Sequence, residues 1–108
     1  MSDPQLLRGI LEGCVLAIIA MHETYGYEIL AELEKSGFEN LLEGTLYPVL
    51  TILEKKNLIS CRKEKSPFGP IRKYYSITED GIENLAEFKL NYRKITTSAN
   101  NILNRKDN

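Results

Sequence analysis

The sequence has one histidine, two cysteines and no tryptophan in 108 residues. With His22 as the sole imidazole, no multi-histidine metal cluster can form. No nucleophile–base pair and no phosphate-cradling glycine loop stands elsewhere in the chain, so neither an enzyme nor a bound cofactor is expected. His22 reads as a surface or capping residue. Cys14 and Cys61 are far apart and fit no metal-ligand spacing, so both read as reduced thiols. For Cys61, within a basic segment, burial and a thiolate-favouring environment are the competing readings. No apolar run approaches membrane length. The longest, Cys14 to Met21, reads as a buried core helix and not as a signal peptide, so a cytoplasmic protein without a membrane partner is expected. Internal repeats and low-complexity segments are missing too. The length suits one domain with a modest core, which leaves apolar surface for a partner subunit.

A large net charge is also missing: the formal total is −1. The distribution is uneven, however. Met1 to Leu53 carries two basic and eight acidic residues, whereas Glu54 to Tyr75 carries seven basic residues (Lys55, Lys56, Arg62, Lys63, Lys65, Arg72, Lys73) and two acidic ones. From Ser76 onward the charges cancel. Local charge sets attraction to a phosphate backbone, so one basic stretch inside a near-neutral chain is compatible with nucleic acid. A solvated basic face is the plain alternative.

Apolar periodicity predicts a first helix from about Asp3 to Met21, with Ser2-Asp3-Pro4 as cap and first turn. A second helix begins near Thr24 with Ile29, Leu30 and Leu33 as its buried set, and Gly37 as its stop. Gly26, near its start, suits a close backbone approach. The third helix runs from about Glu43 to Lys56. Steps of ~100° put Leu46, Val49, Leu50 and Leu53 on one arc, and Gly44, Pro48, Thr51 and Lys55 on the other, with Tyr47 on its flank. Pro48 is expected in or near the first turn, where its missing N–H costs little. Two β-rich segments follow, Leu58–Lys65 and Ile71–Ile77, joined by the turn-forming Ser66-Pro67-Phe68-Gly69-Pro70. Tyr75 shares a strand face with Ile77 and is expected inside, with Tyr74 outside. Thr78, followed by Glu79 and Asp80, is a good N-cap for a last helix. Its apolar residues Leu85, Phe88, Tyr92, Ile95, Ala99 and Ile102 are spaced 3, 4, 3, 4, 3. That is a short heptad seam, suited to packing on a partner or back on its own domain. Asn104 to Asn108 reads as a polar, frayed tail.

The expected fold is therefore mainly α with a small β-hairpin: a winged helix-turn-helix over 1–77 plus a long C-terminal dimerisation helix over 78–108. In that plan the third helix, Gly44 to Lys56, enters the major groove and the hairpin touches backbone or minor groove. Thr51 and Lys55 offer donors on the helix, and Tyr47 an aromatic one. Arg62, Lys63, Lys65, Arg72 and Lys73 offer cations on the hairpin.

Three motifs carry a family resemblance. Gly44-Thr45-Leu46-Tyr47-Pro48-Val49-Leu50, with Leu53-Glu54 and Asn57-Leu58-Ile59, resembles the recognition helix of the PadR transcriptional regulators. Arg72-Lys73-Tyr74-Tyr75-Ser76-Ile77-Thr78 followed by Gly81 resembles the family's wing, and Tyr25-Gly26-Tyr27-Glu28-Ile29 its second helix. Together they span nearly the whole chain, and the single C-terminal helix resembles the small subclass. The resemblance implies a repressor that binds palindromic operators in double-stranded DNA as a homodimer. It places Tyr25, Gly26 and Tyr27 at the head of the second helix against the backbone. By the same resemblance Thr45, Tyr47 and Thr51 would lie in or beside the major groove and Arg72, Lys73 and Tyr74 would serve the wing; Gly44, Pro48, Lys55, Lys63 and Lys65 are expected at DNA beside them. Some small members hold a planar, drug-like aromatic at the dimer centre. The matching position here is Tyr92, flanked by Phe88 and Ile95, although the tryptophan of the drug-binding pattern is absent. Tyr92 thus either stacks on a small aromatic effector or packs the dimer. Two further readings stay open: a repressor without a ligand, and a winged protein-interaction module that does not bind DNA.

Overall fold

A computed structural model describes residues 4–106. The expected cap residues Ser2 and Asp3, and Asp107 and Asn108 of the expected tail, lie outside the described residues. The elements are α1 (Pro4–Met21), β1 (Thr24–Tyr25), α2 (Gly26–Lys35), α3 (Glu43–Lys55), β2 (Ile59–Lys65), β3 (Ile71–Ile77) and α4 (Glu79–Leu103).

The core forms where the helical stripes meet. Leu11, Val15, Leu16 and Ile19 of α1 pack with Ile29 and Leu33 of α2 and with Leu46, Val49, Leu50 and Leu53 of α3. Tyr75 joins them at 3 % exposure, on the inward face expected for it. Burial in the core pushes its hydroxyl pKa up to about 12. Burial also raises the thiols of Cys14 and Cys61 above their ordinary value.

Two left-handed residues end the two helices of the helix-turn-helix. After α2, Gly37 has φ 117° and Phe38 N–H donates to Leu33 O at 3.0 Å. After α3, Asn57 has φ 60° and Leu58 N–H donates to Leu53 O at 2.9 Å. Glycine and asparagine are the residues that tolerate this conformation at a helix end.

Three points differ from the sequence reading. The sheet has three antiparallel strands in the order β1-β3-β2, because Thr24 and Tyr25 pair with Tyr75 and Tyr74. Pro48 lies inside α3, one turn deeper than expected, because Leu42 is the N-cap and its carbonyl takes the N–H of Thr45 and Leu46. Pro48 has no N–H to donate to the carbonyl of Gly44 one turn back, so that carbonyl lacks its helical donor. The C-terminal seam divides. Leu85 is part of the common core and Phe88 lies directly over Gly13 of α1, which has no side chain to obstruct it. Beyond Phe88 the helix projects, and the molecule extends 65 Å by 30 Å by 20 Å.

Thr78 ties α4 to the end of α3. Its Oγ1 accepts the N–H of Gly81 at 3.0 Å and donates to Asn57 O at 2.7 Å, while its own N–H donates to Leu58 O at 3.1 Å. Gly81 sits against the Leu58 carbonyl, where a side chain would collide with backbone.

Candidate nucleic-acid interface

The hairpin β2–β3 and the N-termini of α2 and α3 enclose an open groove of about 800 Å³. Tyr25 lines it from the end of β1, Gly26 and Tyr27 from α2, Tyr47 from α3, and Arg72 and Lys73 from β3. Gly26 allows the close approach expected of it: the Tyr47 hydroxyl lies 3.3 Å from where a Cβ would stand. Six of the residues expected at DNA thus converge on one surface. Glu43, Phe68 and Pro70, which sequence reasoning did not single out, also border it.

The remaining expected residues divide by position. Gly44, Thr45 and Pro48 border a different cavity of about 640 Å³ on the other side of α3, with Leu7, Leu11 and Ile52. The exposed arc of α3 therefore stands as a ridge between two depressions. Thr51 is on that ridge, but its hydroxyl already donates to Tyr47 O at 3.0 Å. Its expected role as a free donor is corrected, because a threonine inside a helix bonds the carbonyl one turn back. It keeps acceptor capacity. Lys55, Lys63 and Lys65 are exposed.

A ladder of rings and guanidinium groups braces the outer face of the sheet. Arg62 lies over the Tyr74 ring at 4.6 Å, Tyr74 meets Tyr25 edge-on at 5.6 Å, and Arg72 lies over Tyr25 at 4.3 Å. The strand register makes this possible, since Tyr74 is opposite both Arg62 on β2 and Tyr25 on β1. A cation over an aromatic face is attracted by the ring quadrupole. Hydrogen bonding to Tyr74 also raises the pKa of Arg72.

Arg62 differs from the other wing cations. Its Nε and Nη2 donate to the two carboxylate oxygens of Glu23 at 2.8 Å each, and its Nη1 donates to Glu64 at 2.8 Å. Ser76 adds a hydrogen bond to Glu23 at 3.3 Å. The bond from Arg62 holds the Glu23 carboxyl below its usual range, and the two carboxylates raise the pKa of Arg62. The expectation that Arg62 is a free cation for phosphate is corrected: two carboxylates neutralise it. Glu23 was not anticipated. It is 39 residues from Arg62, and only the short strand β1 brings the two together.

On α4, Phe88 and Tyr92 stack with centroids 5.9 Å apart and planes at 26°. Tyr92 is 45 % exposed, and Ile95 and Ile102 are 68 % and 66 % exposed, while Ala99 is partly buried. Among the described residues no three His, Cys, Asp or Glu side chains group as a metal site would require. No helix of the described residues is long and apolar enough to cross a membrane.

The comparisons with known proteins agree with this geometry. A PadR-like transcriptional regulator of Bacillus cereus is 45 % identical, with a TM-score of 0.81 over 94 % of this chain and 99 % of that one. A transcriptional regulator of Streptococcus is 41 % identical, with a TM-score of 0.79 over 91 % and 96 % of the two chains. An uncharacterised protein of Lysinibacillus sphaericus is 37 % identical over 90 residues, covering 81 % of this chain and 82 % of its own. Residues 15–87 match the model of the transcriptional regulator PadR-like family. A chain with this winged fold, this basic hairpin and this match over most of its length belongs to the PadR-like family of transcriptional regulators, which is not a family of enzymes.

Proposed function

We propose that this regulator is a repressor that grips palindromic operators as a homodimer, with residues up to Ile77 serving DNA and residues from Thr78 onward serving dimerisation. The observation that carries the DNA reading is the groove in which Tyr27 and Tyr47 oppose Arg72 and Lys73. Its mixed phenol–cation lining suits a sugar–phosphate strand. The ridge of α3 beside it presents Gly44, Tyr47, Thr51 and Lys55 to the major groove. Tyr25 and Tyr74 act on DNA by fixing Arg72 through the ring ladder. The dimer reading is supported by the exposed apolar side chains Tyr92, Ile95 and Ile102 on the projecting part of α4. Two copies joined there would set their α3 helices against half-sites ~34–36 Å apart.

A fluorescence anisotropy titration tests the DNA reading. The probe is a duplex from the promoter region of the gene that encodes this chain, with a shuffled duplex of the same composition as control. Tighter binding of the promoter duplex is expected. Equal binding of both duplexes at every salt concentration would refute a sequence-specific repressor.

The stacked Phe88–Tyr92 pair favours one addition. It offers a flat aromatic face beside Lys89, Arg93 and Thr96, suited to a small planar aromatic effector between subunits. An effector that favoured another spacing of the two α3 helices would release the operator by population shift. Quenching of a planar dye by the full chain and by Tyr92→Ala checks this. Loss of quenching in the variant is expected, whereas equal quenching would remove Tyr92 as a ligand platform.

A further inference from the structure

The tip of the wing has an unusual surface for a segment in a basic hairpin. Phe68 is 98 % exposed, the most exposed large hydrophobic side chain among the described residues. It stands among Pro67, Pro70 and the exposed Ile71, so the tip carries an apolar cluster. The turn is also stiff. Pro67 and Pro70 each fix one backbone torsion, and the Phe68 N–H donates to Ser66 Oγ at 3.4 Å. The register Lys65↔Ile71 closes the loop directly below. Beneath the apolar tip come Lys63, Lys65, Arg72 and Lys73, all exposed. The one acid of the hairpin, Glu64, is engaged by Arg62.

An aromatic ring held in water on a stiff turn gains free energy only when something covers it. The cations below it select a polyanion. The groove decides which part of a polyanion the ring would meet. Phe68 lines the wing side of that groove, and Tyr47 lines the α3 side. In a duplex, each backbone strand separates the major groove from the minor groove. With a strand in the groove and α3 in the major groove, the wing tip faces the minor groove next to it. Proteins that read the minor groove often insert a phenylalanine or proline between base steps and kink the duplex.

We infer that Phe68 is a minor-groove wedge: it enters between base pairs beside the strand held by Arg72 and Lys73, unstacks one step and bends the operator. This rests on the DNA-binding reading above. It adds a distinct source of specificity, because a flexible pyrimidine–purine step is easier to open than a stiff one. The operator would then be read at a position where no hydrogen bond reaches a base.

The test uses the full chain and a duplex selected by it from a random-sequence library. Bending is read by energy transfer between dyes on the two duplex ends. Unstacking is read from 2-aminopurine placed in turn at each adenine. The wild type is expected to bend the duplex by roughly 20–90° and to brighten 2-aminopurine at one step per half-site. Phe68→Ala is expected to abolish both signals and to weaken binding about 10- to 100-fold. Its salt dependence should match that of the wild type, since no phosphate contact is lost. Phe68→Leu, still an apolar wedge, is expected to retain bending.

Bending and affinity unchanged in Phe68→Ala would overturn the wedge while leaving DNA binding intact, and would assign the tip to a protein or membrane partner. A steeper or shallower salt dependence in Phe68→Ala would also overturn it, by showing that the substitution disturbs the phosphate contacts. Failure of the wild type to select any duplex would overturn the DNA-binding reading and the wedge with it.

Discussion

The outer face of the sheet and the projecting part of α4 treat exposed aromatic and apolar residues in opposite ways. On the sheet, Tyr25 and Tyr74 each have a guanidinium over one face, so the sheet's outer surface is partnered within the chain. On α4, Phe88 is docked over Gly13, whereas Tyr92 has only the Phe88 ring beside it, and Ile95 and Ile102 face outward without such cover. The difference teaches where a second molecule belongs. A surface whose rings are already satisfied is set up to present charge, and a surface left apolar is set up to be buried. The proposed recognition helix, α3, stands between the two and has little charge of its own. Lys55 is its only cation, since Lys56 follows the helix and pairs with Glu12 at 3.3 Å.

The largest expected effect comes from giving the apolar surface a charge. The double substitution Ile95→Glu, Ile102→Glu should weaken self-association about 1,000-fold, because uncompensated charges would be buried in the seam. Sedimentation equilibrium reads this directly, and a variant as associated as the wild type would move the dimer seam elsewhere. Next comes removal of charge from the wing. Lys63→Ala, Lys65→Ala and Lys73→Ala together should lower DNA affinity about 100-fold at moderate salt. Six lysines per dimer correspond to a decrease of about 5 in the salt slope. An unchanged slope would mean that the wing does not meet phosphate.

A third prediction contrasts the two faces of the sheet. Tyr75, buried on the inner face, has its pKa raised to about 12. Its stabilising contribution is fully present below the unfolded value of ~10 and is lost as pH rises toward 12. Urea unfolding between pH 9 and pH 12 should show roughly 2 kcal/mol of extra pH dependence, and Tyr75→Phe should remove it. The smallest effect is expected at the Glu23–Arg62 pair, which is exposed. Glu23→Gln should free Arg62 for phosphate and steepen the DNA salt slope by about 1 per subunit, with little change in melting temperature. In the wild type the same release should begin as pH falls through the depressed Glu23 pKa, because the pair persists only while the carboxylate is ionised. A slope unaltered by the substitution would show that Glu64 alone keeps Arg62 occupied.

Much of this was legible from residues alone, and for identifiable reasons. The buried arcs of α1, α2 and α3 are long enough for helical periodicity to show. Tyr75 and Ile77 alternate with Tyr74 over a full strand, and Thr78 caps α4 as a threonine before two acids should. What was not legible depends on contacts between distant segments. β1 is two residues long and has no periodicity to read. The Glu23–Arg62 lock depends on β1, so it was hidden with it. Thr51 pointed to a free donor because a sequence does not say which way a hydroxyl turns. The seam from Leu85 to Ile102 is uniform in spacing, yet Gly13 admits Phe88 and so divides it into a docked part and a projecting part. A glycine 75 positions earlier is not a signal that heptad counting can use.

Thr78 has a mechanical consequence. One side chain and one peptide group clamp the start of α4 to the residues just past α3, with bonds of 2.7 and 3.1 Å to Asn57 O and Leu58 O. Two helices pinned so close to a common point turn as one crank. At ~1.5 Å per residue, the 25 residues of α4 form an arm of about 37 Å. A swing of about 5° at the pivot displaces the far end by roughly 3 Å. In the proposed dimer, a modest sliding of two copies along their α4 arms would be returned at the pivot as a small rotation of α3. The reach of the arm would thus set the gearing between the proposed subunit contact and the proposed DNA surface.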